Sequence, residues 1–171
     1  ILPPWKKSRK AGAKIIIEPG MAFGTGRHGS TRIMLRMMSA IKLQGMSVLD
    51  IGCGSGVLAI YAHIMGAGRV VAVDHDTCAV EAVDKNADLN SADRIETICA
   101  DIRDIKGQFD VVLANLDARA FSNYSIHIIG LVKDRGMLLV SGIEAGQKND
   151  VMPLFSSLPR IVQRRMNDWY G

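Results

Sequence analysis

The feature that most constrains this chain is a glycine-rich turn between two apolar strands. An apolar stretch over residues 46–51 runs into Gly52-Cys53-Gly54-Ser55-Gly56, and a second one over residues 69–74 ends in Asp74. A helical pattern over residues 57–65 separates them, which is the order of a nucleotide-binding βαβ unit. Glycines let the backbone approach a ligand, and a carboxylate at this strand end can accept hydrogen bonds from both ribose hydroxyls. The sequence therefore predicts a site for an adenosine-containing cofactor.

The spacing of the glycines and the charge beside them distinguish two classes of cofactor. A dinucleotide enzyme usually has G-x-G-x-x-G, with the pyrophosphate at the helix N-terminus. Here the spacing is G-x-G-x-G, and Asp50 comes just before the turn. Its carboxylate would repel a pyrophosphate but attract S-adenosyl-L-methionine, whose ammonium and sulfur are both positively charged. We therefore favour S-adenosyl-L-methionine over NAD. In the alternative interpretation Asp50 only caps a helix, which leaves Asp74 unexplained.

The composition predicts one folded domain with neither a membrane span nor a metal site. The chain has 171 residues, of which 48% are hydrophobic, enough to build a sizeable core. No apolar run approaches the about 18 residues of a transmembrane helix, and no secretory signal pattern is present. The three cysteines fit no metal-ligand spacing. We expect reduced thiols and a cytoplasmic location.

The first residues have the composition of a linker. Pro3-Pro4 is followed by clustered basic residues, namely Lys6, Lys7, Arg9 and Lys10. This pattern predicts a linker over residues 1–13 and a domain over residues 14–171. The basic residues could also contact RNA, and the net charge of +4 permits such a partner without requiring one.

Apolar strands alternate with helical patterns along the rest of the chain. Strands are predicted over residues 14–18, 46–51, 69–74, 95–99, 109–115 and 137–141. Helices are predicted over residues 30–42, 57–65, 77–89, 119–132 and 146–158, with residues 161–170 extended. In the last helix, Pro153 could bend the chain or restart the helix. Near-continuous apolar strands alternating with helices predict an α/β fold whose mostly parallel sheet is covered by helices on both faces.

Polar residues follow several of these strands, at the sheet edge where ligands bind in such folds. Besides Asp50 and Asp74, they include Asp101, with Ile102 next to it, and Asn115. Asp101 could hydrogen-bond an adenine amino group while Ile102 packs on the ring, or Asp101 could simply form a turn before Arg103. The amide of Asn115 offers an acceptor for an amine or for the cofactor's methionine end, or it caps the next helix.

One stretch carries a family resemblance. Residues 18–31, Glu-Pro-Gly-Met-Ala-Phe-Gly-Thr-Gly-Arg-His-Gly-Ser-Thr, resemble the D-P-G-x-A-F-G-T-G-x-H-x-T-T signature of the PrmA family. That family methylates amino groups of the eleventh protein of the large ribosomal subunit. The glycine turn, Asp74, the stretch over residues 141–143 and Trp169 also resemble it, so the resemblance covers residues 14–170. It implies a Rossmann-like class I S-adenosyl-L-methionine-dependent methyltransferase with a seven-stranded sheet. It also implies that Thr31, Gly52, Asp74 and Asn115 contact the cofactor.

The expected site follows from the residues and the resemblance together. We assign Asp74 to the ribose, Gly52 and Gly54 with Asp50 to the methionine end, and Asp101 with Ile102 to adenine. Thr31 and Asn115 would orient the cofactor and the acceptor nitrogen. Phe23 would form a wall of the site in a segment rich in glycine. His28 is a candidate base, against the alternative of a structural hydrogen bond, because methyl transfer to a neutral amine does not require a base.

Two departures from the family affect the substrate. Asp117 adds a negative charge after Asn115, which would favour a cationic acceptor. The family's N-terminal substrate-recognition domain has no counterpart in this chain, so a ribosomal protein substrate follows by analogy only. The sequence therefore favours a protein N-methyltransferase. The alternatives are a methyltransferase for RNA or a small amine, and an inactive cofactor-binding module.

Overall fold

A parallel sheet forms the centre of the molecule. The structure, a computed structural model, describes residues 1–6, 14–20, 26, 28–159 and 161–171. The parallel strands are β1 (Ser47–Ile51), β2 (Arg69–Asp74), β3 (Ile95–Cys99), β4 (Phe109–Asn115) and β5 (Val132–Ser141). They lie in the order β3-β2-β1-β4-β5. Because the strand order reverses between β1 and β4, the carboxyl ends of these two strands border the crevice where ligands bind in doubly wound sheets.

Helices cover both faces of this sheet. They are α1 (Gly29–Met38), α2 (Val57–Ile64), α3 (Thr77–Leu89), α4 (Ala118–Gly130) and the short α5 (Lys148–Val151). Alternate residues of a strand point to opposite faces. Accordingly, Val48 and Val70 belong to one apolar cluster, and Leu49 and Val71 belong to the cluster on the other face. The predicted α/β fold with a mostly parallel sheet is confirmed.

The strand count differs from the expectation. In the described residues the parallel sheet has five strands rather than seven. A separate antiparallel sheet contains β6 (Ile143–Glu144), β7 (Arg165–Met166) and β8 (Trp169–Tyr170), in the order β6-β8-β7. These strands have two residues each, and the chain turns back between Met166 and Trp169 to pair β7 with β8. The extended residues predicted near the C-terminus thus form a short hairpin.

Two predicted elements are wrong in detail. In residues 14–18 only Ile16 is a bridge residue, paired with Leu2, so this segment is not a strand of the main sheet. The helix predicted over residues 146–158 is broken into α5 and a 3₁₀ turn at Met152–Phe155, where Pro153 lies at the start of the turn and lacks the N–H that would continue the helix.

The N-terminal stretch of the chain is only partly described. Residues 7–13 lie outside the described part, so the linker predicted over residues 1–13 stays a prediction. Within the described part of this stretch, Leu2 is paired with Ile16. Among the helices that the structure describes, we found none with both the length and the apolar character needed to cross a bilayer.

A polar cluster joins three strands at the amino end of the sheet. Asp110 on β4 accepts hydrogen bonds from the backbone N–H of Ser47 at 2.8 Å and from its hydroxyl at 2.6 Å. Lys133 on β5 donates to the other carboxylate oxygen of Asp110 at 3.0 Å. The bonds from Ser47, followed by those from Lys133, lower the pKa of Asp110 to about 2. This cluster ties β1, β4 and β5 together at the edge opposite the glycine turn.

Candidate functional site

The backbone of the glycine turn has a conformation that favours glycine. Gly52, Gly54 and Gly56 have φ angles of +65°, +51° and +76°, in the left-handed region. The N–H groups of Gly52 and Cys53 both donate to the carbonyl oxygen of Val73, at 2.9 and 3.0 Å. The turn is thereby fixed to the end of β2, and α2 begins immediately after it.

Asp74 lies beside this turn, at the end of β2 as predicted. Its Oδ2 accepts a hydrogen bond from the N–H of Gly54 at 3.1 Å, and its Oδ1 accepts one from the N–H of Asp76 at 3.1 Å. These two donors fix the orientation of the carboxylate. Each carboxylate oxygen has a second lone pair, so Asp74 can still accept hydrogen bonds from ribose hydroxyls.

Asp50 is a buried carboxyl that is only half satisfied. Its side chain lies at the centre of the sheet, with the residue 1% exposed. Its Oδ2 accepts a hydrogen bond from the N–H of Ala59 in the first turn of α2 at 3.1 Å, whereas Oδ1 has no partner. Burial, with a smaller contribution from the charge of Asp74, raises the pKa of Asp50 to about 7, against the lowering effect of the Ala59 N–H. Asp50 therefore does bond to the start of a helix, but one oxygen is left over.

Three buried oxygens without partners mark the site. In the part of the chain that the structure describes, five buried side-chain polar atoms lack a hydrogen bond. Three of them are Thr31 Oγ1, Asp50 Oδ1 and Asn115 Oδ1, all on residues predicted to bind the cofactor; the other two are ring nitrogens of His63 and His127. A buried polar atom without a partner costs about 1–3 kcal/mol, so three on one predicted site require an explanation.

The fold places two of these residues on adjacent strand ends and the third on a helix packed against the same sheet. β1 and β4 are parallel neighbours with Ile51 opposite Ala114, so Asp50 and Asn115 lie on adjacent strands near their carboxyl ends. Thr31 lies in the first turn of α1, which packs against β4 and β5. Two acceptor oxygens and a hydroxyl fit a ligand that carries N–H donors and positive charge. S-adenosyl-L-methionine has both at its methionine end, so the residues present fit this cofactor.

The expected ribose and adenine residues share a cleft of about 380 Å³. Asp74, Asp101 and Ile102 all line it. Asp101 accepts hydrogen bonds from the Arg103 side chain at 2.9 and 2.8 Å and from its backbone N–H at 2.9 Å. These bonds hold the pKa of Asp101 well below its usual range. The turn-forming role of Asp101 is therefore present, and the residue also lines the cleft.

The cleft contains residues to which the sequence interpretation assigned no role, namely His75, Leu116, Ala120 and Tyr124. Leu116 covers the glycine turn, since a Cβ at Gly52 would lie 2.5 Å from its Cδ2. The guanidinium of Arg103 lies 5.9 Å from the ring centre of Tyr124, which connects α4 to the Asp101 side of the cleft. The position of Leu116 directly after Asn115 is a signal that could have identified it. An aromatic residue within a helical pattern gave no such signal for Tyr124.

Asp117 has a structural role in addition to any effect on the acceptor. Its Oδ1 accepts a hydrogen bond from the N–H of Ala120 at 2.7 Å, which makes it the N-cap of α4. It also lines the cleft.

The two other residues predicted for catalysis differ in what can be said of them. Phe23 lies outside the described residues. His28 precedes α1, with Nδ1 2.8 Å from the hydroxyl oxygen of Ser30 and its ring edge-to-face with Trp169 at 4.3 Å between centroids. These contacts are those of the structural alternative, and a catalytic role for His28 stays a prediction. No group of His, Cys, Asp and Glu side chains in the described ranges is arranged to hold a metal ion.

Comparison with protein families gives a consistent match. A family model described as ribosomal protein L11 methyltransferase (PrmA) matches residues 1–170. The ribosomal protein L11 methyltransferase of Myxococcus xanthus is 39% identical over 164 residues, which are 94% of this chain and 56% of that protein. The protein of the same description from Sorangium cellulosum is 34% identical over 169 residues, or 95% of this chain and 53% of that protein. The chain thus spans about half the length of the curated relatives it matches.

Solved structures show the same fold. The crystal structure of ribosomal protein L11 methylase from Lactobacillus delbrueckii subsp. bulgaricus has a TM-score of 0.91 at 26% identity, covering 99% of this chain and 90% of that chain. A tRNA m1G37 methyltransferase from M. jannaschii has a TM-score of 0.71 at 20% identity, covering 95% of this chain and 53% of that chain, which shows the fold alone. The expected class I methyltransferase fold is confirmed, with five rather than seven strands in the parallel sheet of the described residues.

Proposed function

Because the chain belongs to the ribosomal protein L11 methyltransferase (PrmA) family, we propose that it carries the catalytic site of a cytoplasmic enzyme that methylates amino groups of a ribosomal protein, with S-adenosyl-L-methionine as cofactor. The observation that supports this most directly is the trio of buried oxygens on Thr31, Asp50 and Asn115. A ligand with an ammonium group and N–H donors would satisfy acceptors that otherwise destabilise the fold.

Each end of the cofactor has residues suited to it. Asp50 and Asn115 would accept hydrogen bonds at the methionine end. Gly52 and Gly54, which have positive φ angles and no side chains, leave room there beside the backbone. Asp74 would hold the ribose hydroxyls. Asp101 and Ile102 line the same cleft and would receive the adenine.

The chemistry that bound S-adenosyl-L-methionine supplies is a methyl group on a positive sulfur, transferred to the lone pair of an amine as the carbon–sulfur bond breaks and S-adenosylhomocysteine is left. The contribution of the chain is to orient the groups and to exclude water. The carbonyl oxygen of Asn115 would accept an N–H of the neutral amine, so that its lone pair faces the methyl group. The proton released from the product is taken up by solvent or by His28.

Calorimetric titration with S-adenosylhomocysteine tests the cofactor assignment. We expect micromolar or tighter binding to the 171-residue chain and a loss of about tenfold or more in Asp74→Asn, because hydrogen bonds involving a charged group contribute about 1.5–3 kcal/mol. Asp93→Asn is the matched control, since it makes the same change at an exposed residue outside the cleft. No binding to the unmodified chain, or equal affinity in both variants, would contradict the proposal.

Transfer of a labelled methyl group tests the acceptor. The chain is incubated with labelled cofactor and, separately, with purified ribosomal protein L11, ribosomal RNA and a polyamine. We expect label on amino groups of the protein. Label on RNA or on the polyamine alone would instead favour the alternative acceptors.

A further inference from the structure

Asn86 of α3 and Asn90, the C-cap of α3, bond to the backbone of residues 16–18 as a neighbouring strand would. The side chain of Asn90 accepts a hydrogen bond from the N–H of Ile16 at 2.8 Å and donates to its carbonyl oxygen at 2.7 Å. One turn earlier, Asn86 accepts a hydrogen bond from the N–H of Glu18 at 2.8 Å. Four residues of a helix rise about 6 Å, and two residues of a strand span nearly the same length. The two amides therefore match two successive positions along the segment.

Asn86 makes an additional contact that Asn90 does not make. Its amide nitrogen donates to the carbonyl oxygen of Ser55 in the glycine turn at 2.9 Å. Asn86 is 1% exposed and Ser55 is 2% exposed, so this bond is shielded from water. Val83, on the same face of α3, packs under the turn, since a Cβ at Gly56 would lie 2.9 Å from its Cγ1.

The glycine turn is therefore held from two sides. On the β2 side it is held by the carbonyl of Val73 and the carboxylate of Asp74. On the α3 side it is held by Val83 and Asn86. Left-handed glycines give the turn backbone freedom, and contacts on both sides remove that freedom before a ligand binds.

We propose that Asn86 is a positioning residue for the cofactor site, which holds the glycine turn in its binding geometry by joining the carbonyl of Ser55 to the N–H of Glu18. The inference rests on the proposed function, because it concerns the same turn. Asn86 does not line the adenosine cleft. Its effect would reach the ligand through the backbone of the turn.

The chain contains a closely matched control for this role. Asn86→Asp keeps an acceptor for the N–H of Glu18 but places an oxygen against the carbonyl of Ser55. Asn90→Asp makes the same chemical change one turn further along, at the C-cap of α3, and it removes donors to the carbonyls of Ile16 and Asn86. Both variants should lower the free energy of unfolding, since each loses buried hydrogen bonds. Only the first should disturb the turn.

The test compares the affinity for S-adenosylhomocysteine with the free energy of unfolding in the two variants. We expect Asn86→Asp to raise the Kd about tenfold or more and Asn90→Asp to leave it within about twofold. Amide hydrogen exchange at Gly54 and Gly56 should speed up in the first variant only. Equal changes in Kd, or an unchanged Kd in Asn86→Asp, would overturn the inference.

Failure of a variant to fold and failure of the unmodified chain to bind are each interpreted separately. If Asn86→Asp does not fold, Asn86→Ser and Asn90→Ser are compared in the same way, since serine removes the amide without adding charge. If the unmodified chain does not bind S-adenosylhomocysteine, the proposed function fails, and amide exchange at Gly54 and Gly56 alone decides whether Asn86 holds the turn.

Discussion

Asp50 and Asp74 stand at the ends of neighbouring strands, and the charge of Asp74 adds to the effect of burial in raising the pKa of Asp50 to about 7. A ligand that places an ammonium group beside Asp50 would oppose both effects, because the positive charge stabilises the ionised carboxylate. The free protein thus binds a proton on Asp50 that the ligand would displace near neutral pH.

The affinity for S-adenosylhomocysteine should therefore fall as the pH is lowered below about 7, by up to about tenfold per pH unit. In Asp50→Asn the affinity should be lower and should vary little with pH. Calorimetry in buffers of different ionisation enthalpy measures the proton release directly. A wild-type affinity that is flat between about pH 6 and 8 would contradict the role of Asp50.

The same carboxyl has the opposite effect on stability. Its pKa in the fold lies above the ordinary value of 3.8. Its contribution to stability is therefore fully present below about pH 4 and is lost as the pH rises through about 7. We expect Asp50→Asn to unfold at a higher denaturant concentration than the wild type above neutral pH, measured without ligand.

Gly52 should tolerate no side chain. Its φ of +65° is unfavourable for alanine, and the added Cβ would lie 2.5 Å from Leu116 Cδ2. We expect Gly52→Ala to weaken binding of S-adenosylhomocysteine by more than about tenfold. Gly45→Ala is the control, because Gly45 has φ +76° but no atom within 4 Å of the added Cβ. It should cost about 1 kcal/mol of stability and leave the affinity unchanged.

Thr31→Val should stabilise the free protein and weaken its binding of the cofactor. Valine has the shape of threonine without the hydroxyl, and Thr31 Oγ1 has no partner in its buried position. Removing it should raise the free energy of unfolding by about 1 kcal/mol. In the control Thr97→Val the hydroxyl bonded to Asp84 at 2.8 Å is lost, so no such gain is expected. Denaturant unfolding and calorimetry together would show whether stability and affinity move in opposite directions.

The Asp110 cluster should control acid stability without affecting binding. The pKa of Asp110 in the fold is lowered to about 2 from 3.8. Its contribution is therefore present above about pH 4 and is lost as the pH falls towards 2. Asp110→Asn should lower the free energy of unfolding at pH 7 by about 1 kcal/mol, since the cluster is partly solvated, and the difference should vanish near pH 2. A change in cofactor affinity would show that the two edges of the sheet are coupled.

The βαβ unit could be predicted because its signals are local. An apolar strand, left-handed glycines and a terminal carboxylate are adjacent in sequence, and they place Asp50, Gly52 and Asp74 together in the structure. The segment over residues 14–18 differs from the prediction because a short apolar run of three isoleucines is typical of a buried strand. Its backbone bonds to Leu2 and to the side chains of Asn86 and Asn90, which lie about 70 residues away in sequence.

The role of Asn86 could not be predicted from the sequence for the same reason. Its position in a helical pattern gave no information on the tertiary partners of its amide. The one available signal was the poor helix propensity of asparagine at two positions one turn apart, Asn86 and Asn90. The strand count of seven came from the family resemblance rather than from periodicity, and the residues after Ser141 form only two-residue strands.

The unpartnered oxygens of Thr31, Asp50 and Asn115 have a consequence for evolution. A chain of this fold that no longer needed its ligand would gain stability by exchanging these oxygens for apolar atoms. Without selection for binding, substitutions would accumulate at these three residues before they accumulated in the glycine turn, whose backbone conformation the fold itself requires. A relative with the turn intact and these oxygens replaced would therefore be recognisable as one that has abandoned the chemistry.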